Sequence, residues 1–173
     1  MNQTEFKSGK YLTFSIDGED YGVEILKVKE IIGLMDITKV PNTPKYVRGV
    51  INLRGMVIPV IDIRKKFGLT SAADTRETSV IVVEISRNST AVSTGMLVDS
   101  VSEVMDVAKE DINEAPSFGG GHSTDYILGM AKTNGSVRIL INVDMLLNDS
   151  ETAELSGLTQ AGNKNSGGVE NVG

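Results

Sequence analysis

The chain has no cysteine and no tryptophan, one histidine, four prolines and only 5% aromatic residues. Without cysteine there is no disulfide, no thiolate metal site and no thiol nucleophile, an inventory that suits a reducing compartment. The one histidine, His122, lies in Gly119-Gly120-Gly121-His122-Ser123 with no partner at ligand spacing, so a surface loop is expected there. The glycine run lacks a Gly-Lys-Ser/Thr ending and is not set between a strand and a helix, which argues against a phosphate cradle. No Gly-x-Ser-x-Gly elbow presents a serine nucleophile. No apolar stretch reaches the ~18 residues of a membrane span, and Met1 to Lys10 has no signal core, so a soluble, cytosolic protein is expected.

Positive charge is also short. The net charge is −6, and the segment from Asn148 onward, with Asp149, Glu151, Glu154 and Glu170 against Lys164 alone, carries −3 of it. An acidic surface poor in aromatics repels phosphate backbones, so nucleic acid and anionic lipid are not expected partners. The sequons at Asn88 and Asn148 would matter only in a secreted protein.

What the chain has is 40% hydrophobic residues, rich in Val, Ile and Leu, over 173 positions, enough for a core. Leu12, Phe14 and Ile16 alternate with polar neighbours, Asp17-Gly18 supplies a tight turn, and Tyr21-Gly22-Val23 returns, which reads as a hairpin. Further apolar or alternating runs occupy Val28 to Ile32, Val50 to Leu53, Met56 to Ile61, Ser79 to Ile85, Ala91 to Val98, Ile127 to Ala131 and Val137 to Ile141. Short strands at this spacing predict an all-β protein of small barrels or a sandwich. A short helix is predicted over Ile63 to Phe67, capped by Asp62 and stopped by Gly68, with a matching turn over Val143 to Leu147 after Asn142. Pro44 and Pro116 are expected to lead short turns. Residues 1–150 form the expected folded unit. Residues 151–173 are too polar to repay their ordering entropy, one turn around Ala153 to Leu158 excepted, and a flexible tail is expected.

The chain also repeats itself. Gly49-Val-Ile-Asn-Leu-Arg-Gly55-Met-Val-Ile-Pro-Val-Ile-Asp62 aligns without gaps on Gly129-Met-Ala-Lys-Thr-Asn-Gly135-Ser-Val-Arg-Ile-Leu-Ile-Asn142. Gly22, Val28, Glu30 and Ile31 fall on Gly95, Val101, Glu103 and Val104, and Ile37 with Pro41 falls on Ile112 with Pro116. Offsets of 73–80 residues in conserved order indicate two copies of one strand-rich unit. Each copy is near the lower size limit for a stable core, so two barrels should bury faces against one another, with a binding groove at their seam.

Catalysis finds no support. Asp99, Glu103 and Asp106 lie close together, but among Val98, Val101, Val104 and Val107 they read as the solvated side of a strand; no catalytic residue, metal or cofactor is assigned. An acid–base hydrolase using Asp99 and Glu103, or a small ligand-binding barrel, are the rival readings. Two exposed features ask for more. Gly55 suits the positive φ of a tight turn, yet Arg54 stands where the second copy has Asn134, and guanidinium suits carboxylate acceptors. Glu30 sits between Val28 and Ile31, one charge in an apolar patch, as in docking surfaces.

Tyr21-Gly-Val-Glu-Ile-Leu-Lys-Val-Lys-Glu-Ile31, Ile37-Thr-Lys-Val-Pro-Asn-Thr-Pro44, Tyr46-Val-Arg-Gly-Val-Ile-Asn-Leu-Arg-Gly55, Ile58-Pro-Val-Ile-Asp-Ile-Arg64 and Leu97-Val-Asp-Ser-Val-Ser-Glu-Val104 together resemble the CheW family of bacterial chemotaxis coupling proteins, over residues 10 to 147. Ser100 stands where that pattern has glycine. The resemblance implies two packed five-stranded β-barrels and a non-enzymatic adaptor, monomeric alone. It would bind the regulatory domain of the histidine kinase CheA through barrel ends, and the cytoplasmic tip of methyl-accepting chemoreceptors in the inter-barrel groove, which would recruit it to membrane receptor arrays. Matched by motif, Val28, Glu30, Gly49 and Arg54 would face the receptor, and Ile37, Val40 and Gly55 the kinase. The same domain occurs fused to kinases and receiver domains, and 173 residues leave room for neither, which points to a stand-alone adaptor.

Overall fold

A computed structural model describes residues 8–70, 72–114, 125–133 and 135–159. The strands are β1 (Gly9–Ile16), β2 (Glu19–Glu24), β3 (Val28–Gly33), β4 (Val47–Leu53), β5 (Met56–Asp62), β6 (Ser79–Arg87), β7 (Thr90–Val98), β8 (Ser100–Val107), β9 (Ile112–Asn113), β10 (Ile127–Thr133) and β11 (Ser136–Ile141). Helix α1 (Ile63–Lys66) follows β5, and helix α2 covers residues 149–159. His122, the glycine run before it and Pro116 lie outside the described residues.

Two curled sheets result. One runs β8-β1-β2-β11-β10-β9 and the other β3-β6-β7-β5-β4. The expected five strands hold for the second; the first gains the two-residue β9. In the second sheet Thr38 takes the place of β9, bridging Val50 with N–H···O distances of 2.9 and 2.8 Å. The aligned Met130 pairs with Asn113.

The repeat is present, but its copies and the barrels do not coincide. Hairpin β1–β2 of the first copy lies in the sheet that β8 to β11 of the second copy complete, while hairpin β6–β7 lies with β3, β4 and β5. The copies are joined by two equivalent parallel ladders, Leu140↔Gly22 in one sheet and Val60↔Gly95 in the other. At these crossings the glycines are required by space. A Cβ on Gly22 would sit 2.9 Å from Leu140 Cδ2, and one on Gly95 would sit 2.7 Å from Val80 Cγ1. The caps are likewise equivalent: Asp62 Oδ1 accepts from Arg64 N and Asn142 Oδ1 from Asp144 N, each at 3.0 Å. Asp62 N and Asn142 N donate to the carbonyls of Tyr46 and Tyr126, each at 2.7 Å.

The seam between the sheets is filled. Phe14, Ile16 and Val23 from one sheet meet Ile61, Ile81, Val83 and Met96 from the other in one buried cluster that also takes in Ile63, Val143 and Leu147. Burying each such side chain contributes about 1.5–3 kcal/mol, so an open inter-barrel groove would forfeit the main stabilising contact. A stack of Phe14, Tyr21, Phe67 and Tyr126, with centroids 5.7, 5.4 and 4.8 Å apart, ties the first hairpin to the turns after β5 and before β10.

Helix α2 extends the folded unit past the expected boundary at residue 150. Thr152 and Leu155 are buried in the cluster edge, and the expected single turn is a helix of nearly three turns. Its polar composition concealed long-range anchors: Lys66 Nζ meets both Glu151 carboxylate oxygens at 2.9 and 2.8 Å, and Arg87 Nε meets Asp149 Oδ1 at 2.6 Å. The rest of the expected tail, from residue 160, lies outside the described residues.

Candidate docking site

The β4–β5 turn is Leu53-Arg54-Gly55-Met56, with Arg54 at φ 53° and Gly55 at φ 87°. Positive φ at both central residues is the two-residue hairpin geometry that matches strand twist, and arginine is an uncommon occupant of its first position. The Gly55 N–H donates to Asn52 Oδ1 at 2.9 Å, which steadies the turn. Arg54 thereby projects from a fixed backbone.

Its guanidinium forms a bidentate ion pair with Glu30 on β3: Nη1 donates to Oε2 at 3.0 Å, and Nη2 donates to Oε1. The hydrogen bonds from Arg54 hold the Glu30 carboxyl below the usual range. Among the described residues no ladder joins β3 to β4, so this pair is a side-chain clasp across an interval the backbone leaves open. The clasp lines a groove of about 660 Å³ whose apolar surface comes from Leu53, Met56, Val82 and Val92 and whose far wall is Ser156 and Thr159 of α2. Met56 is 53% exposed beside the turn. The groove is thus on the outer side of one barrel, against α2, and not at the packed seam.

The four residues matched to the receptor side therefore separate. Glu30 and Arg54 meet. Val28 packs its side chain against the main core. Gly49 is buried at φ 149°, where a Cβ would lie 2.2 Å from the Thr38 carbonyl oxygen and 2.8 Å from Ile37 Cγ2. Its hydrogen atom lets the Thr38 bridge form. Ile37, matched to the kinase side, is thus Gly49's neighbour and leans on the second core cluster. Val40 is half-buried, its carbonyl accepting from Thr43 Oγ1 at 2.8 Å, and Gly55 is exposed beside Arg54.

Lys29, Met56 and the α2 residues were not found by sequence reasoning. Lys29 Nζ donates to Ser93 Oγ at 2.8 Å on the groove wall, a cross-sheet contact that strand parity does not reveal.

The corresponding mouth of the other barrel, about 370 Å³, is lined by Glu103, Asp106, Asp111, Lys132 and Arg138. It has the position of the first groove without its apolar wall. Asp99 is fully engaged: Arg64 Nε and Nη2 donate to it at 2.9 and 2.6 Å, and the Asp17 N–H at 2.8 Å. The Arg64 hydrogen bonds, aided by Asp17, keep its pKa low, the opposite of what a general acid needs. Among the described residues no group of three or more His, Cys, Asp or Glu is placed to hold a metal, and no helix is long and apolar enough to cross a membrane.

Two interlocked β-barrels with a clasped groove, and Asp99 held by Arg64, define a protein-docking module. A family model for the CheW-like domain matches residues 10–151, and the chain belongs to that family. It is 36% identical to the chemotaxis protein CheW of Klebsiella aerogenes over 144 residues, 83% of this chain and 84% of that one. It is 30% identical to the chemotaxis protein CheW of Treponema pallidum over 158 residues, 91% of each. Among solved structures, the scaffolding protein TtCheW from Thermoanaerobacter tengcongensis superposes with a TM-score of 0.73 at 34% identity, covering 84% of this chain and 96% of that chain.

Proposed function

We propose that this protein is a non-enzymatic chemotaxis adaptor that holds the regulatory domain of a CheA-type histidine kinase and the cytoplasmic tip of chemoreceptors in one signalling array, in the cytoplasm against the membrane. The observation that carries the receptor part is the Arg54–Glu30 clasp bordering an apolar groove. A helical hairpin offers an apolar ridge and hydrogen-bonding groups to such a surface. Val28 and Gly49 support that surface from behind, through the β3 packing and the Thr38 bridge. Ile37, Val40 and Gly55 are assigned to the kinase, on surface of the same barrel that adjoins the receptor side at Gly49 and Arg54. Signal transfer needs contacts that differ in free energy between kinase states, by about 1–3 kcal/mol in coupled systems.

The test is reconstitution with kinase and receptor. Arg54→Ala and Glu30→Lys leave folding intact and weaken receptor-dependent kinase stimulation; unchanged stimulation removes the pair from the site.

A further inference from the structure

Strand β3 carries one residue more than the strand it pairs with. Val28 faces Val83 and Glu30 faces Val82, so Lys29 is the extra residue of a bulge. A bulge bends its strand and re-aims side chains, and here two neighbours that strict alternation would set on opposite faces, Lys29 and Glu30, both line the groove. The second copy has the same irregularity, with Ser102 and Glu103 set against Thr13 alone. Ser102 is the equivalent of Lys29 there, so the cation belongs to the first copy only.

Lys29 is positioned without being saturated. Its Nζ reaches past β6 to β7 and donates at 2.8 Å to Oγ of Ser93, itself a groove residue. Glu84, the carboxylate beside it, stands 3.6 Å away, and the Lys29 and Glu84 side chains are 49% and 45% exposed. An ammonium carries three donors, and an ion pair this long and this exposed contributes little, so Lys29 can change partners readily. In the same groove Arg54 and Glu30 satisfy one another. The groove thus presents two cations against one carboxylate, in a chain of net charge −6.

We propose that Lys29 is the specificity-determining cation of the docking groove, and that it selects a receptor helix carrying a carboxylate beside its apolar ridge. This rests on the docking function proposed above. An acidic helix replaces Glu84 at the Lys29 ammonium, whereas a neutral helix gains nothing there and a basic one meets an excess of like charge. The sign of the groove is the reverse of the sign of the whole chain, which directs an acidic ridge to this face rather than elsewhere on the surface.

Lys29→Gln removes the charge and keeps much of the side-chain length. It should melt at the wild-type temperature and hold a kinase regulatory domain as before, while affinity for a chemoreceptor hairpin-tip fragment falls about fivefold at low ionic strength. The difference should nearly vanish at about 1 M salt, where screening acts within ~3 Å. Lys29→Arg should restore binding, and a tip fragment with its acidic side chains replaced by amides should bind wild type and Lys29→Gln alike. A lysine that only guards the open edge of β3 would leave tip affinity unmoved. Equal tip affinity for wild type and Lys29→Gln at low salt, or a loss that salt does not diminish, overturns the proposal and leaves the docking function standing. A lower melting temperature together with weaker kinase binding shows a structural role and also overturns it. A wild-type protein that binds no tip fragment overturns both.

Discussion

Arg64 and Asp144 occupy equivalent positions in the two copies and hold equivalent joints with opposite charge. Arg64 reaches the β1–β2 turn at Asp17, at 3.3 Å, and the β7–β8 junction at Asp99. Asp144 reaches the β6–β7 hairpin by accepting from Ser86 N at 2.8 Å, and the β2–β3 connection at Lys27, at 2.9 Å. One arrangement is thus met twice with its polarity inverted, and mispairing of the two joints would set like charges together.

Arg64→Gln is expected to cost about 1–2 kcal/mol, since the side chain is only 16% exposed and its loss leaves Asp99 with a single donor. Urea denaturation checks the value. Asp99→Arg in the Arg64→Asp background should recover part of the loss, and no recovery would show that the pair itself contributes little.

Stability should fall on the acid side through Asp99. Its folded pKa is depressed, so its contribution is present above the unfolded value of about 4 and is lost as pH drops through the folded value. Asp99→Asn is therefore less stable than wild type at pH 7, with a difference that shrinks below about pH 4. Denaturation midpoints that stay a constant distance apart across that window would contradict this.

Gly95→Ala places a methyl group 2.7 Å from Val80 Cγ1 and 3.3 Å from Val60 Cγ2, and is expected to destabilise by about 1–3 kcal/mol. Gly49→Ala meets backbone at 2.2 Å and an unfavourable φ besides, and should cost more. Calorimetry that ranks Gly95→Ala as the worse would show the Thr38 bridge to be dispensable.

Neither half of the chain should fold alone. A fragment ending before β6 leaves β3 without β6, its only ladder partner among the described residues, and β2 without β11; the complementary fragment lacks β1, β2 and β5. The two expressed separately should give coil-like circular dichroism and regain sheet signal on mixing. Independent folding of either would refute the interlocked topology.

Much of this was legible beforehand. Strand positions followed from Leu12, Phe14, Ile16 and their counterparts, because alternation records which face is buried. Gly22 and Gly95 signalled equivalence because both are crossing points. The exchange of hairpins was not legible, since periodicity says that a strand exists and not which strand it joins. The pairing of Glu30 with Arg54 stayed hidden for the same reason: the two residues were singled out separately, and only the gap between β3 and β4 brings them together. Gly49 falls on the receptor side by its motif alone, whereas its close approach to the Thr38 carbonyl depends on a segment with no strong pattern. Helix α2 was under-read because its stability comes from Lys66 and Arg87, far away in sequence.

The exchange of hairpins also sets the order in which the protein is completed at the ribosome. Strands β1 and β2 precede the rest of their sheet, and the free edge of β2 has no ladder partner until β11 is synthesised more than a hundred residues later. For most of translation the nascent chain carries an unfinished sheet with an open edge, the state most prone to pair with a neighbour. The hairpin made early is thus the segment whose edge stays open longest, a consequence of the exchanged topology.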